Sequence, residues 1–130
     1  MPVGKGRHSP IAADDQGRAI AALLKNPEGY IGTTIPLSGP VETDHEQMAA
    51  ELSKALGRKI VFQNVSIDEY CQSAEKIGIP PFGINFCRGA LVYYRNGRMS
   101  GSDNNVEKLT DRHAMTLGEL ARAHVDANAK

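Results

Sequence analysis

The side chains that most often hold metal ions are scattered along this chain of 130 residues. Its four histidines are His8, His45, His113 and His124, and no two of them have the i, i+4 spacing that places two imidazoles on one helix face for zinc. His45 falls at the beginning of a predicted helix, where we expect it to face solvent. The sequence therefore predicts no metal site.

Neighbouring carboxylates and a glycine-rich stretch are the next candidates for chemistry. Asp14 and Asp15 could act as paired carboxylates in acid–base catalysis, but their place before an apolar helix favours a helix cap. The stretch Gly4–Ser9 is the nearest approach to a phosphate-binding loop. It has no preceding strand and no third glycine, so we expect a flexible terminus there. No catalytic or cofactor-binding residue is predicted.

Aromatic residues concentrate in one segment, from Phe82 to Arg95, which follows the helix-breaking pair Pro80-Pro81. The spacing predicts a helix with two apolar faces, one made of Phe82, Phe86, Gly89, Ala90 and Tyr93 and the other of Ile84, Cys87, Leu91 and Tyr94. A helix that is apolar on two sides is expected to be buried on two sides. It should therefore be central, or pack against another chain or a ligand.

Capping boxes predict where three further helices begin, at Thr43/Glu46, Ser66/Glu69 and Thr116/Glu119. Another helix is expected to run to about Lys25, with Ile20, Leu23 and Leu24 facing inward.

Two strands are predicted, Thr33–Ser38 and Lys59–Val65. Pro36 has no amide proton, which places the first strand at a sheet edge. Two strands form a poor sheet by themselves, so the chain reads as a piece of a larger α/β structure. The expected fold is mostly helical with two or three short strands, α+β if taken as an isolated fragment. We expect a loose segment at 1–10, a folded region at 11–127 and a tail at 128–130.

Composition excludes several classes of function. Basic and acidic residues number 15 each, which argues against nucleic-acid binding. No apolar run approaches the length that spans a bilayer, and the basic start has no hydrophobic stretch typical of a secretory signal. Cys71 and Cys87 both fall in predicted helices, where we expect buried thiols rather than a disulfide. These features indicate a cytoplasmic protein.

The order of the segments resembles the carboxyl-terminal part of the NmrA-like family, which are atypical short-chain dehydrogenases/reductases with a Rossmann-type fold. The resemblance covers residues 8 to 125 and rests on five stretches in order: IAADDQGRAIAALLKNP, GTTIPLSGP, TDHEQMAAELSKALGRKIVFQNV, IDEYCQSAEKIGIPP and RNGRMSGSDNNVEKLTDRHAMTLGELARAH. One departure is Asp111, where the family usually has glycine, and it puts the local turn in doubt.

The resemblance implies that the NAD(P)-binding sheet belongs to a half preceding this segment, so the chain should lack a cofactor and redox chemistry of its own. The tyrosine–lysine pair of many short-chain reductases is also missing, because no tyrosine is followed by lysine four residues later. The family's carboxyl-terminal helices form one wall of the substrate cleft. Carried over, this implies an apolar lining with one anion-binding side chain, made of Tyr70, Phe82, Phe86, Arg88 and Tyr93. Simple core packing is the alternative.

Three functions stay open. The chain could be the substrate-side part of an NmrA-like oxidoreductase or redox sensor, a stand-alone module for a small apolar ligand, or a structural, vestigial product. In each case we expect a homodimer, because an apolar face that once covered a sheet should not stay in water. The helix Phe82–Arg95 or the edge strand Thr33–Ser38 is expected at the dimer interface.

Overall fold

The computed structural model describes residues 1–128, which form six α-helices and one two-stranded sheet. The strands are β1 (Arg7–His8) and β2 (Thr43–Asp44), which pair antiparallel with Arg7 opposite Asp44. A short 3-10 turn spans Glu28–Tyr30. The helices are α1 (Ala13–Lys25), α2 (His45–Leu56), α3 (Ile67–Lys76), α4 (Pro81–Arg95), α5 (Asn105–Thr110) and α6 (Leu117–Asn128). The expectation of a mostly helical chain with few short strands is confirmed.

The helices pack in three pairs, α1 with α5, α2 with α6, and α3 with α4. The buried apolar residues between them are mainly small: Ala12, Ala19, Ala49, Cys71, Val106 and Ala114. Several of the largest apolar side chains lie on the outside instead, among them Leu24, Ile77 and Phe82. None of the helices described in residues 1–128 is long and apolar enough to cross a bilayer.

Two of the three predicted capping boxes are confirmed, at the starts of α3 and α6. The amide of Glu69 donates to the Ser66 hydroxyl, and the amide of Ser66 donates to the Glu69 carboxylate; Thr116 and Glu119 make the same exchange. The third box was placed one residue too early. Because Thr43 pairs with His8 in the sheet, Asp44 caps α2 with Gln47 as its reciprocal partner.

The first helix ends at Lys25 as predicted, but its cap and its inward face are wrong. The residue before the helix is Ala12, whose side chain makes no capping hydrogen bond, and Asp15 lies fully buried inside the first turn. Of the three residues predicted to face inward, Ile20 and Leu24 are exposed and Leu23 is half-buried, whereas Ala19 faces the interior. The interior here accommodates α5, which packs against the small side chains of α1.

Neither of the two predicted strands forms a strand in the part of the chain that the structure describes, so both predictions are wrong. The segments Thr33–Ser38 and Lys59–Val65 lie outside the hydrogen-bonded sheet. A strand requires a neighbouring strand with which it forms a regular series of backbone hydrogen bonds. These two segments form only isolated hydrogen bonds. The Ser38 hydroxyl accepts from the Asp103 amide, and the Ile60 amide donates to the Ser53 hydroxyl.

The first ten residues, expected to be loose, are held against the rest of the chain. Val3 is 1% exposed. The terminal amine donates to the Gln63 carbonyl and the Gly4 amide donates to the Asn64 side chain, at 3.0 and 3.2 Å. The amino-terminal segment therefore belongs to the folded part, and it supplies β1. The other predicted domain limits stay predictions.

The turn at Asp111 keeps a glycine-like conformation. Asp111 ends α5 with φ of 52°, in the left-handed region that glycine adopts at lower cost. Aspartate is one of the few other residues that enter this region readily. The replacement noted in the sequence therefore leaves the turn in place.

Candidate functional site

Helix α4 has one buried face and one exposed face in this chain. Leu91 is buried, and Ile84, Cys87 and Tyr94 are half-buried on the same side. The prediction that α4 is buried on two sides is therefore wrong for the part of the chain described, because α3 covers only one of them. The helix begins at Pro81, one residue before the predicted start at Phe82, because proline fits the first helical turn, where no amide partner is needed.

The exposed face of α4 carries three of the five predicted site residues. Phe82, Phe86 and Tyr93 are spaced by four and seven residues, so they lie along one side of the helix. Their exposed fractions are 82%, 70% and 48%. The guanidinium carbon of Arg98 lies 5.9 Å from the centre of the Tyr93 ring. We call these three side chains the aromatic face.

The other two predicted site residues lie apart from the aromatic face. Arg88 projects from a different side of α4 and donates to the Asp68 carboxylate at 2.6 Å, which raises the pKa of the guanidinium. Both groups border an open groove of about 230 Å³ between α3 and α4, with Cys71 and Glu75 also in its wall. Tyr70 is half-buried on α3. An exposed ion pair of this kind contributes little to stability and leaves Arg88 already engaged with an acid.

A cluster of ionisable rings that sequence spacing did not reveal joins β1, α2 and α4. The Tyr94 hydroxyl is in hydrogen-bond contact with Nδ1 of His8 and lies 3.4 Å from Nδ1 of His45. The two imidazoles stack with ring centres 5.5 Å apart, and the Phe62 ring packs 5.2 Å from His45. We call His8, His45 and Tyr94 the His–Tyr cluster. The two histidines are 86 and 49 residues from Tyr94 along the chain, so no local motif marks them.

Partial burial favours the neutral forms of the two imidazoles and of the phenol in the His–Tyr cluster. Desolvation lowers the pKa of both imidazoles below the usual 6.5, and for His45 the neighbouring His8 lowers it further. Desolvation also raises the pKa of the Tyr94 phenol. His45 is half-buried between two rings, so the expectation that it faces solvent is wrong.

The lowered imidazole pKa values make stability depend on pH. At a pH between the folded-state pKa and 6.5, the unfolded chain binds more protons than the folded chain. The contribution of the two histidines to the free energy of unfolding is therefore complete above about pH 6.5 and is lost as the pH falls through the folded-state pKa. We expect the free energy of unfolding, measured by chemical denaturation, to fall between about pH 7 and 5. The double variant His8→Gln/His45→Gln should show a flatter profile. An equal slope in both proteins would contradict this prediction.

The remaining candidate ligands do not converge. Cys71 is buried and Cys87 half-buried, and both are free thiols. Among the side chains that the structure describes, no three of His, Cys, Asp and Glu lie close enough together to hold a metal ion.

Several known proteins are similar in sequence and in fold to nearly all of this chain. No family model matches. The NAD(P)H azoreductase of Xenophilus azovorans is 28% identical over 127 residues, which are 98% of this chain and 44% of that protein.

Two solved structures superpose closely on the chain. The NADPH-dependent quinone oxidoreductase QOR2 of Escherichia coli has a TM-score of 0.79 at 23% identity, with 95% of this chain and 44% of that one covered. The nucleoside-diphosphate-sugar epimerase SAV0421 of Staphylococcus aureus has a TM-score of 0.80 at 26% identity, with 93% and 42% covered.

The chain thus spans less than half the length of these relatives. The neighbours confirm that its fold is that of part of a larger Rossmann-type protein. The chain is therefore similar, over nearly its whole length, to less than half of these NAD(P)H-dependent reductases.

Proposed function

We propose that this chain supplies the substrate side of an NAD(P)H-dependent reductase whose substrates are flat, conjugated electron acceptors. The relatives named for azo compounds and quinones act on this chemical class, and both names include the nicotinamide cofactor. The aromatic face of α4 carries the proposal within this chain. Exposed Phe82 and Phe86 offer an apolar surface on which a planar ring can stack.

The proposal assigns dinucleotide binding to a part of the enzyme other than residues 1–128. The stretch Gly4–Ser9 is the nearest in pattern to a phosphate-binding loop, but both of its glycines lie next to other side chains of the protein. A Cβ on Gly6 would collide with the ring of Tyr94, so this glycine makes room for a side chain. The Gly4 amide already donates to Asn64. No backbone amides there are arranged at a helix start to receive a pyrophosphate.

Calorimetric titration of the purified chain with NADPH, with NADP and with a simple quinone tests the proposal. We expect no binding of either nucleotide up to about millimolar concentration, and weak quinone binding. The double variant Phe82→Ala/Phe86→Ala should abolish the quinone signal. Leu24→Ala removes an equally exposed apolar side chain on α1 and should leave the signal unchanged.

The titration separates two ways in which the proposal could be wrong. Micromolar NADPH binding would show that this chain holds a nucleotide site of its own. Quinone binding that survives loss of both phenylalanines would remove the aromatic face from the substrate site.

We also propose that, in the absence of substrate, the isolated chain pairs with a second copy through the aromatic face, so that quinone and the second copy compete for this surface. Single exposed apolar residues are normal on protein surfaces, but three large aromatic side chains along one helix form a contiguous patch that favours burial. The alternative interface through Thr33–Ser38 loses its basis because that segment forms no strand.

Light scattering measures this association directly. We expect a dimer for the unmodified chain and a shift toward monomer for Phe82→Ser/Phe86→Ser, because serine removes most of the apolar area of the patch. A monodisperse monomer for the unmodified chain at all concentrations would contradict the proposal.

A further inference from the structure

We propose that the His–Tyr cluster is a binding site for a divalent transition-metal ion, with Cu²⁺ as the ion it holds most tightly. Its ligands are Nδ1 of His8, Nδ1 of His45 and the phenolate oxygen of Tyr94. Neither the relatives' names nor the proposed reductase function requires such a site, and it stands independently of both.

The geometry supports the proposal because side chains from three elements that are distant in sequence bring two imidazole nitrogens to the Tyr94 oxygen. Both imidazoles turn the same ring nitrogen, Nδ1, toward the single oxygen of Tyr94. One hydroxyl hydrogen can be donated to only one of these nitrogens, so the second imidazole must carry its proton on Nδ1 to bond the oxygen. A metal ion takes the place of these hydrogens: once the phenol proton is released and both imidazoles carry their proton on Nε2, each of the three atoms offers the ion a lone pair.

Metal binding requires unprotonated imidazole nitrogens and a deprotonated phenol, and the ion must displace the phenol proton against burial, which raises the pKa of Tyr94. Imidazole binds metal through an unprotonated ring nitrogen, and the Nδ1 atoms of both histidines already face the Tyr94 oxygen. Tyr94 binds as the phenolate, with its proton released to solvent. Two nitrogens and one anionic oxygen suit Cu²⁺, which heads the affinity series of the divalent first-row metals.

The surroundings fix the ligands in place without closing the site. Gly6 leaves room for the Tyr94 ring, and Phe62 packs on His45. Asp44 accepts the Gln47 amide and lies 3.5 Å from Arg7, so it stays outside the ligand set. His8 and His45 are half-buried, so solvent and an ion can reach them.

Titration of the metal-free chain with CuCl₂, followed by calorimetry and visible absorption, tests the proposal. We expect one Cu²⁺ per chain and a phenolate-to-copper charge-transfer band. Tyr94→Phe keeps the ring and should abolish the band, with binding weaker by roughly tenfold or more. His8→Asn and His45→Asn should each weaken binding by at least about tenfold. His113→Asn removes an exposed histidine elsewhere and should leave both signals unchanged.

The band in the unmodified chain tests the site even if a variant fails to fold. Saturation with copper without a charge-transfer band would overturn the proposal, because Tyr94 would then not be a ligand. Binding that persists in folded Tyr94→Phe, His8→Asn and His45→Asn proteins, or that disappears in His113→Asn, would also overturn it. In that case the cluster serves only as a set of hydrogen bonds that hold β1, α2 and α4 together.

Discussion

Replacement of Asp15 by alanine is expected to destabilise the chain by about 3–5 kcal/mol, the cost of breaking a buried ion pair by removing one partner. The Asp15 side chain is fully buried, accepts the Met115 amide at 2.6 Å and pairs with the Arg18 guanidinium. Removing it leaves a buried amide without its acceptor and a partly buried cation without its counter-charge. It also loosens the link between α1 and the segment that leads into α6.

Asp14 provides a matched control for this experiment. It precedes Asp15 in the same helical turn, but its side chain is exposed. Asp14→Ala should change stability by about 0.5 kcal/mol or less, as is usual for a surface position. Chemical denaturation followed by circular dichroism measures both variants. Similar losses for the two would mean that the negative charge at the helix start matters, and that burial of Asp15 does not.

Replacement of Gly39 by alanine is expected to cost about 1–3 kcal/mol through overpacking. A Cβ at this position would overlap the carbonyl group of Pro10, with the carbonyl carbon 2.6 Å away. Backbone atoms cannot move aside as a flexible side chain can. The Gly39 amide also donates to the Ser9 carbonyl at 3.1 Å, so separating the two segments breaks this hydrogen bond.

Gly17→Ala is the matched control, with the opposite expected sign. Gly17 lies inside α1, and a Cβ added to it would have no neighbouring atom within 4 Å. Alanine there should stabilise the chain by about 0.5–1 kcal/mol, because it restricts the unfolded backbone and favours the helix. Thermal unfolding measures both changes. A stabilised Gly39→Ala variant would show that the contact with Pro10 yields without cost.

Local sequence signals predicted where several of the helices begin and end, but they did not predict which faces are buried or which segments pair as strands. Ser66/Glu69 and Thr116/Glu119 mark the starts of α3 and α6, because a capping box involves only residues three apart. Gly57 ends α2 in the left-handed conformation, as its place after the apolar residues indicates. The strand at Lys59–Val65 failed because strand formation depends on a neighbour, which the segment's own residues do not specify.

The positions of the predicted site residues, whose role stays a prediction, followed from the sequence only where they depend on local spacing. Phe82, Phe86 and Tyr93 lie on one helix, so their spacing was enough to place them on one face. Arg88 lies elsewhere on α4, where its side chain meets Asp68 of α3. The His–Tyr cluster is assembled by tertiary folding, which brings His8 next to Tyr94. No spacing rule applies to such a pair.

The small size of the buried residues has a consequence for the energetics of unfolding. Alanine, valine and cysteine make up most of the interior, while Phe82, Phe86, Leu24 and Ile77 already contact solvent. Unfolding of the monomer therefore adds little newly hydrated apolar area for a chain of this length. The heat-capacity increment and the denaturant m-value both scale with that area, so both should be low for a chain of 130 residues.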